Sequence, residues 1–309
     1  MATSRRHALK IILQSGAAVA TGALAMRSNA FNLNQASMLT RIIPSSRELL
    51  PVIGLGTWQT FDIGNNTEQR NQLKEVLTTL VDKGGKVIDS SPMYGRSEKV
   101  IGDLSSELGI RDRLFMATKV WTGGKSAGIS QMNSSFDKMK VRKMDLMQVH
   151  NLVDVDAHLE TLRRWKAEGR ILYIGITHYT SSAYPNLISV IKKARPDFVQ
   201  FNYNIRDREA EKRLLPTAKE YGVATIINRP FGEASLFSMV RGRGLPPFAK
   251  EFEINSWAQY FLKFILSHPD VTCVIPGTSK PHHMEDNAGA GFGPMPDEAT
   301  RAKMVNALG

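Results

Sequence analysis

Four ionisable side chains lie at or just after the ends of three apolar, strand-like segments of this 309-residue sequence. Asp89 ends one segment, Lys119 lies at the end of the next and His150 ends the third, while Tyr94 follows Asp89 by five positions. An Asp–Lys pair beside a tyrosine can stabilise the phenolate and lower a phenol pKa from about 10 towards neutrality. Such a tyrosine can give a proton to a carbonyl oxygen, and a nearby imidazole can orient that oxygen. The four residues therefore point to proton transfer at a carbonyl group.

Each of these residues also has a purely structural explanation when it is taken alone. Asp89 could be a turn or cap residue, Tyr94 a half-buried loop anchor, and His150 a hydrogen-bonded core histidine. Lys119 is harder to explain in this way, because an unpaired buried ammonium group is costly. Their occurrence together at three successive strand ends favours the catalytic explanation.

The strand ends belong to a regular alternation of strand-like and helix-like segments, with no linker or low-complexity tract after residue 38. The apolar runs are Val52–Trp58, Lys86–Asp89, Leu114–Val120, Met144–His150, Ile171–Thr177, Phe198–Tyr203, Val223–Asn228 and Val271–Pro276. Segments with helical periodicity lie between them at 67–82, 96–108, 128–140, 155–168, 182–193, 209–221 and 255–268, with a last one near 282–290. Eight parallel βαβ units predict an α/β fold, a (β/α)8 TIM barrel whose active site lies at the carboxyl ends of the strands.

Two further features of the amino-terminal half refine this fold prediction. Leu39–Ile43 and Leu49–Ile53, around a Pro-Ser-Ser turn, predict a β-hairpin that caps the bottom of the barrel. The rival architecture, an open doubly wound sheet, normally carries a G-x-G-x-x-G motif after its first strand. The sequence from Gly54 to Trp58 lacks the third glycine of that motif. We therefore expect residues 38–309 to form a single barrel with an N-terminal β-hairpin cap.

The segment that carries the first candidate residues resembles the aldo-keto reductase superfamily. The sequence from Val87 to Gly95 is similar to the family's Asp-Thr-Ala-x-x-Tyr-Gly segment, and the contexts of Lys119 and His150 also match. The resemblance extends over roughly residues 40–290. It implies that Tyr94 is the general acid, that Lys119 and Asp89 lower its pKa, and that His150 positions the substrate oxygen.

The resemblance also implies an activity and a cofactor. A reduced nicotinamide would bind across the barrel mouth and supply hydride, so that the chain is expected to be an NAD(P)H-dependent reductase of aldehydes or ketones. The alternative is a nicotinamide-binding sensor or regulatory subunit of the same fold that does not turn over. Trp58 and Trp121 are expected to line an apolar substrate site, although rim packing would also explain them. We expect a small carbonyl substrate and a monomeric protein.

The nicotinamide end of the implied cofactor site is only partly kept in this sequence. Thr177 and His178 stand where the family has a Ser-Asn pair that holds the carboxamide, whereas the family's Gln is present as Gln200. Many relatives place a stacking aromatic residue after the seventh strand, and here the stacking would fall to Arg229. A planar guanidinium can stack on a ring and pair with phosphate. A surface salt bridge is the alternative for Arg229.

The adenosine end departs further from the family pattern. Gly277 replaces the usual Lys and His283 the usual Arg, the two cations that pair with the 2′-phosphate of NADP. Thr278, Lys280 and His283 remain as candidates for that phosphate, and Asn287 is kept for the adenine. NADP(H) is therefore expected in preference to NAD(H), although Lys280 could also be a solvated loop charge.

The charge of the chain is concentrated in part at its amino terminus. The sequence has 40 Lys and Arg against 29 Asp and Glu, a net charge of +11. Residues 1–30 contain no acidic residue and four basic ones: Arg5, Arg6, Lys10 and Arg27. The apolar stretch between Lys10 and Arg27, Ile11–Ala25, is too short for a permanent membrane anchor. Residues 1–30 resemble a twin-arginine signal peptide, so we expect recognition by the twin-arginine export machinery and a periplasmic protein; a cytoplasmic protein with a basic tail is the alternative.

Composition excludes several other classes of protein and site. Hydrophobic residues make up 42% and charged residues 22%, as in a globular protein. The remaining basic residues form no stripe or recognition motif, so nucleic-acid binding is not expected. A single cysteine, Cys273, excludes an intramolecular disulfide and a Cys-rich zinc site, and no metal is expected.

Overall fold

The fold of residues 37–309, the part of the chain that this computed structural model describes, is built on ten strands. A hairpin of β1 (Thr40–Ile42) and β2 (Leu49–Pro51) comes first and is antiparallel. Eight further strands form one sheet in sequential order with parallel neighbours: β3 (Leu55–Gly56), β4 (Val87–Asp89), β5 (Phe115–Val120), β6 (Met144–His150), β7 (Ile171–Thr177), β8 (Phe198–Asn202), β9 (Ala224–Asn228) and β10 (Cys273–Val274).

The sheet closes on itself next to β3. Ile53 and Gly56 form parallel bridges to Val274 and Gly277, so the first strand of the sheet meets the last. A side chain at Gly56 would place its Cβ 2.9 Å from the Ile275 carbonyl oxygen, so the glycine permits this close approach. The (β/α)8 barrel is therefore confirmed. Its first strand is shorter than the predicted Val52–Trp58, because regular pairing is limited to β3 and two isolated bridges.

Helices connect the strands around the outside of the barrel. They are α1 (Thr67–Asp82), α2 (Ser97–Glu107), α3 (Lys125–Met139), α4 (Val155–Ala167), α5 (Tyr184–Ala194), α6 (Glu209–Lys212), α7 (Leu214–Glu220), α8 (Ser235–Met239), α9 (Trp257–Leu266), α10 (Pro281–Gly289) and α11 (Glu298–Asn306), with short 3-10 helices at Arg111–Arg113, Ser181–Ala183 and Pro247–Phe252. The single helix predicted at 209–221 is divided at Arg213, whose φ is −143°. Pro216 explains the break, because its ring would clash with the carbonyl of Lys212 in a continuous helix.

The interior of the barrel is an apolar layer with polar residues above it. Ile43 and Leu50 of the hairpin belong to this interior cluster, and the Tyr173 hydroxyl donates to the Glu48 carboxylate at 2.6 Å, with Ser46 Oγ 2.7 Å from the same hydroxyl. The predicted N-terminal β-hairpin cap is thereby confirmed. Side chains two positions apart on a strand share a face, and on four of the strands an interior apolar residue is followed by an interior polar one. The pairs are Val87 with Asp89, Ala117 with Lys119, Leu146 with Gln148, and Phe198 with Gln200.

The predicted twin-arginine segment, residues 1–30, lies outside the described residues. Within residues 37–309, no helix combines the length and the apolar character that a membrane crossing requires.

Candidate active site

A buried ion pair forms the centre of the site. The Lys119 ammonium donates to Asp89 Oδ2 at 2.6 Å and to the Ser90 carbonyl oxygen at 2.7 Å. Lys119 is 0% and Asp89 2% exposed. The other oxygen of Asp89 accepts from the side-chain amides of Gln148 and Gln200, each at 2.9 Å. Because three donors hold the carboxylate, the cost of burying its charge is largely offset.

Tyr94 lies above this pair, in the loop after β4. Its half-buried ring has its centroid 5.1 Å from the Lys119 ammonium and meets the His150 ring edge-on, with centroids 6.1 Å apart. Burial raises the pKa of the Tyr94 phenol above its usual value, and Lys119 opposes this effect. The expectation that Asp89 and Lys119 together lower this pKa needs correction. Asp89 raises it, because its carboxylate repels the phenolate, and the net pKa is raised.

Lys119 remains a cation in these surroundings. Burial acts to lower the pKa of its ammonium group, but the charges of Asp89 and Tyr94 outweigh burial and hold the pKa above its usual value. A permanent positive charge therefore lies close to the Tyr94 ring.

His150 is neutral at physiological pH. It is 5% exposed, and burial lowers its pKa to about 3, with further contributions from the positive charges of Lys119 and His178. Its Nδ1 lies 3.1 Å from the Ser91 hydroxyl oxygen. The ring can therefore take part in a hydrogen bond to a substrate, but it cannot serve as the acid at neutral pH.

A cavity of about 930 Å³ opens over these residues at the carboxyl ends of the strands. It brings together most of the residues predicted for the site: Trp58, Asp89, Tyr94, Trp121, His150, Thr177, Gln200, Arg229, Thr278, His283 and Asn287. Lys119 is buried and does not line it. His178 and Lys280 do not line it either: His178 Nδ1 accepts from the Thr180 amide at 3.2 Å, and the Lys280 amide donates to Thr278 Oγ1 at 3.0 Å. Cofactor contacts by these two residues stay predictions.

At the nicotinamide end of the cavity, some polar side chains have hydrogen-bond partners and one polar atom has none among the described residues. Gln200 donates to Asp89, and its own oxygen accepts from the Thr177 hydroxyl at 3.1 Å, so its amide is fixed at both ends. Asn228 Oδ1 at the end of β9 is buried and has no hydrogen-bond partner among the described residues. Asn228 also lines the cavity, so this oxygen without a partner lies in the wall of the site.

Arg229 forms the ion pair that the sequence gives as the alternative, and its stacking on a nicotinamide stays a prediction. Its guanidinium forms an ion pair with Glu233 at 2.7 Å and lies 4.7 Å from the centre of the Tyr179 ring. Its backbone has a φ of +49°, in the left-handed region. Arg229 also lines the cavity, so the ion pair does not remove it from the site.

Large apolar side chains surround the mouth of the cavity. Trp58, Met93, Trp121 and Tyr179 line it and are exposed. Phe237 of α8 also lines it and packs 4.9 Å from Phe231, between ring centroids. The segment 232–254, which connects β9 to α9, thus contributes Glu233, Ala234 and Phe237 to the cavity wall.

Sequence reasoning missed three residues of this site, namely Ser91, Gln148 and Asn228. A signal for Gln148 was present, because it lies two positions before His150 and must face the same interior. Asn228 also carries a signal, because it ends the predicted strand Val223–Asn228, whereas the importance of Ser91 depends on its distance to His150 on another strand.

Comparison with known proteins agrees with this arrangement. The sequence model of the Aldo/keto reductase family matches residues 52–303. The aldo-keto reductase YhdN of Bacillus subtilis is 27% identical over 191 residues, which cover 57% of this chain and only 56% of that protein. The methylglyoxal reductase YeaE of Escherichia coli is 24% identical over 247 residues, covering 77% and 84%. An aldo-keto reductase from Klebsiella pneumoniae, solved in complex with NADPH, shares the fold with a TM-score of 0.74 and 23% identity over 88% of this chain and 95% of that one. Since the family model spans most of the sequence, this chain belongs to the aldo/keto reductase family of oxidoreductases.

Proposed function

We propose that this protein reduces an aldehyde or a ketone to the alcohol with NADPH, and that Tyr94 is the proton donor. One observation carries the proposal. The buried Asp89–Lys119 pair lies next to Tyr94, and the neutral His150 ring meets Tyr94 in the same cavity. These are the groups that a carbonyl oxygen needs when it becomes an alcohol.

The lining of the cavity fits a nicotinamide dinucleotide. Asn228 has a buried oxygen without a partner among the described residues, and it lines the cavity together with Gln200, whose amide is fixed. Thr278, His283 and Asn287 line the same cavity and would hold the adenosine end. The NADPH named for the similar Klebsiella pneumoniae structure supports this cofactor. When bound, reduced nicotinamide supplies hydride for the carbonyl carbon.

The residues of this chain would handle the proton and the oxygen. Tyr94 is protonated at neutral pH, because its pKa is raised, and its hydroxyl can give a proton to the carbonyl oxygen. The Lys119 ammonium stabilises the phenolate that remains. His150 is neutral at this pH, so it does not act as the acid, but its remaining N–H can hold the oxygen by a hydrogen bond. Tyr94 is therefore the acid of choice among these three groups.

The cavity mouth favours a substrate with an apolar or aromatic body. Trp58, Met93, Trp121 and Tyr179 present uncharged surface beside Tyr94 and His150. Contact with such side chains stabilises an aromatic ring by burial and by ring–ring attraction.

Reduction of 4-nitrobenzaldehyde, followed by NADPH oxidation at 340 nm, tests this function. We expect turnover by the full-chain protein and a fall in kcat of about 10²–10⁴-fold in Tyr94→Phe, with NADPH binding unchanged. Tight NADPH binding without turnover of this or other aldehydes would contradict the proposal and favour a sensor or regulatory subunit.

We further propose that residues 1–30 are a twin-arginine signal and that the barrel of residues 38–309 works in the periplasm. The Arg5-Arg6 pair, the short apolar stretch and the absence of acidic residues in this segment of the sequence support the proposal. Fractionation of cells that produce the wild-type chain or Arg5→Lys/Arg6→Lys tests it. Loss of periplasmic protein in the double variant is expected, and unchanged export or a wholly cytoplasmic wild type would overturn it.

A further inference from the structure

We propose that Ser91 is a positioning residue that fixes His150 in the tautomer with its proton on Nε2, the form that can donate a hydrogen bond to a carbonyl oxygen. The proposal rests on the proposed reductase function for its consequence, but the tautomer itself can be tested without turnover. Ser91 lies in the segment between Asp89 and Tyr94, and its hydroxyl oxygen is 3.1 Å from His150 Nδ1.

Burial removes most of the alternatives for the Ser91 hydroxyl. Ser91 is 0% exposed, and its hydroxyl oxygen has two neighbours within hydrogen-bond distance among the described residues. One is the Met93 amide, which donates to the oxygen at 3.4 Å and so uses one of its lone pairs. The other is His150 Nδ1, which is therefore the acceptor available for the hydroxyl hydrogen.

The direction of this hydrogen bond decides where the imidazole proton lies. Burying a hydroxyl hydrogen without an acceptor destabilises the folded state, because the hydrogen bond to water is lost and no other hydrogen bond replaces it. The Ser91 O–H must then donate to Nδ1, which has to be unprotonated in order to accept. Because the ring of His150 is neutral, its one remaining N–H proton is on Nε2.

Ser91 is a difference between this chain and the family segment, and it is not one of the four candidate catalytic residues. The family segment that it resembles, Asp-Thr-Ala-x-x-Tyr-Gly, has Ala at this position, and this chain has Ser91. Ser91→Ala therefore introduces a residue that the fold accommodates, which makes the variant suitable for a functional test. It removes the donor to Nδ1 and leaves Asp89, Tyr94, Lys119 and His150 in place.

Nitrogen NMR of ¹⁵N-histidine-labelled full-chain protein reports the tautomer directly. The chain has 7 histidines, and His150 can be assigned from the signal that disappears in His150→Gln. In the wild type we expect Nδ1 of His150 to be unprotonated and Nε2 to carry the proton between pH 6 and 8. In Ser91→Ala we expect a mixture of tautomers, whereas Ser91→Thr, which keeps the hydroxyl, should retain the wild-type pattern.

Enzyme kinetics and NADPH binding then distinguish a positioning role of Ser91 from a purely structural one. We expect Ser91→Ala to lower kcat/KM for 4-nitrobenzaldehyde about five- to tenfold, the effect of one neutral hydrogen bond, with the NADPH Kd unchanged. Ser91→Thr should restore most of this loss. Ser135→Ala is the matched control, because Ser135 is also buried, donates to the Gln131 carbonyl at 3.2 Å on α3 and does not line the cavity.

Three results would overturn the proposal. Protonated Nδ1 in the wild type would mean that Ser91 accepts the hydrogen bond, and an unchanged tautomer in Ser91→Ala would mean that another group sets it. A changed tautomer with unchanged kcat/KM would overturn the positioning role while leaving the reductase function intact. Absence of turnover in the wild type contradicts the reductase function alone, since the tautomer is read without substrate.

Discussion

Removing the Lys119 ammonium group gives the sharpest test of the buried ion pair. In Lys119→Met an apolar side chain of similar length replaces the cation. Asp89 loses the donor at 2.6 Å, and the Ser90 carbonyl loses its donor at 2.7 Å. The carboxylate keeps only the amides of Gln148 and Gln200, both on its other oxygen. We expect the free energy of unfolding to fall by about 3–5 kcal/mol, the cost of leaving a buried charge uncompensated.

A double-mutant cycle separates the charge from the loss of packing. Asp89→Asn alone leaves the Lys119 ammonium without a counter-charge in a site that is 0% exposed, and should also cost about 3–5 kcal/mol. The double variant Asp89→Asn/Lys119→Met has no charge at either position. Its cost should therefore lie well below the sum of the two, with a coupling free energy of at least about 2–3 kcal/mol.

Lys263 provides the matched control for this cycle. It is another fully buried lysine, but it donates to the carbonyl oxygens of Phe292 and Pro294 and to no carboxylate. Lys263→Met should destabilise the protein without leaving a buried anion. Its effect should add to that of Asp89→Asn within about 0.5 kcal/mol, because the two residues share no partner.

Equilibrium unfolding in urea at pH 7, followed by far-ultraviolet circular dichroism, measures the wild type, the three single variants and the two double variants. The m values have to agree, so that the changes report stability rather than a different unfolded state. Additive effects of Asp89→Asn and Lys119→Met would refute the reasoning, since a pair that holds a buried carboxylate in place has to be coupled.

Three further predictions concern catalysis, cofactor preference and substrate. Because burial raises the pKa of Tyr94, carbonyl reduction should be constant from about pH 6 to 9, while alcohol oxidation, which needs the phenolate, should rise with pH; a reduction rate that falls near pH 7 would contradict this. Burial lowers the pKa of His283, so the ring is neutral at pH 7. As the pH falls towards 5.5 and the ring becomes charged, the wild type should bind NADPH increasingly more tightly than His283→Ala does. At pH 7, His283→Arg should raise the affinity for NADPH about tenfold and leave that for NADH unchanged, as measured by fluorescence titration. Trp121→Ala should raise KM for an aromatic aldehyde about tenfold and for methylglyoxal less than twofold, and equal effects on both would argue against stacking at the mouth.

The barrel and the central residues could be predicted from the sequence because both depend on local patterns. Strand-like runs that alternate with amphipathic helices dictate parallel pairing, and residues at the ends of such strands meet at one face. Asp89, Lys119 and His150 could therefore be placed together before any distance was known. Arg213 illustrates the limit, since the break beside it follows from Pro216 within a segment that otherwise has helical periodicity.

What could not be predicted depends on the environment of single atoms. The sequence correctly suggests that Lys119 stabilises the Tyr94 phenolate, but it does not reveal that burial outweighs this charge. Likewise, Asn228 is an ordinary polar residue in the sequence, and only the folded chain leaves its oxygen buried without a partner among the described residues. Such effects are set by desolvation and by neighbours from distant strands, which a local pattern does not encode.

The site also depends on strand register more than on any single side chain. Asp89 comes from β4, and its donors Lys119, Gln148 and Gln200 come from β5, β6 and β8. The register pairs Asp89 with Ala117 and Lys119 with Gln148, so that the donors face the same interior as the carboxylate. A slip of one residue on any of these strands would turn its polar side chain towards the helices. A core substitution that shifts one strand should therefore remove a donor from Asp89 and alter the proton transfer that we propose for Tyr94, even though it lies far from the cavity.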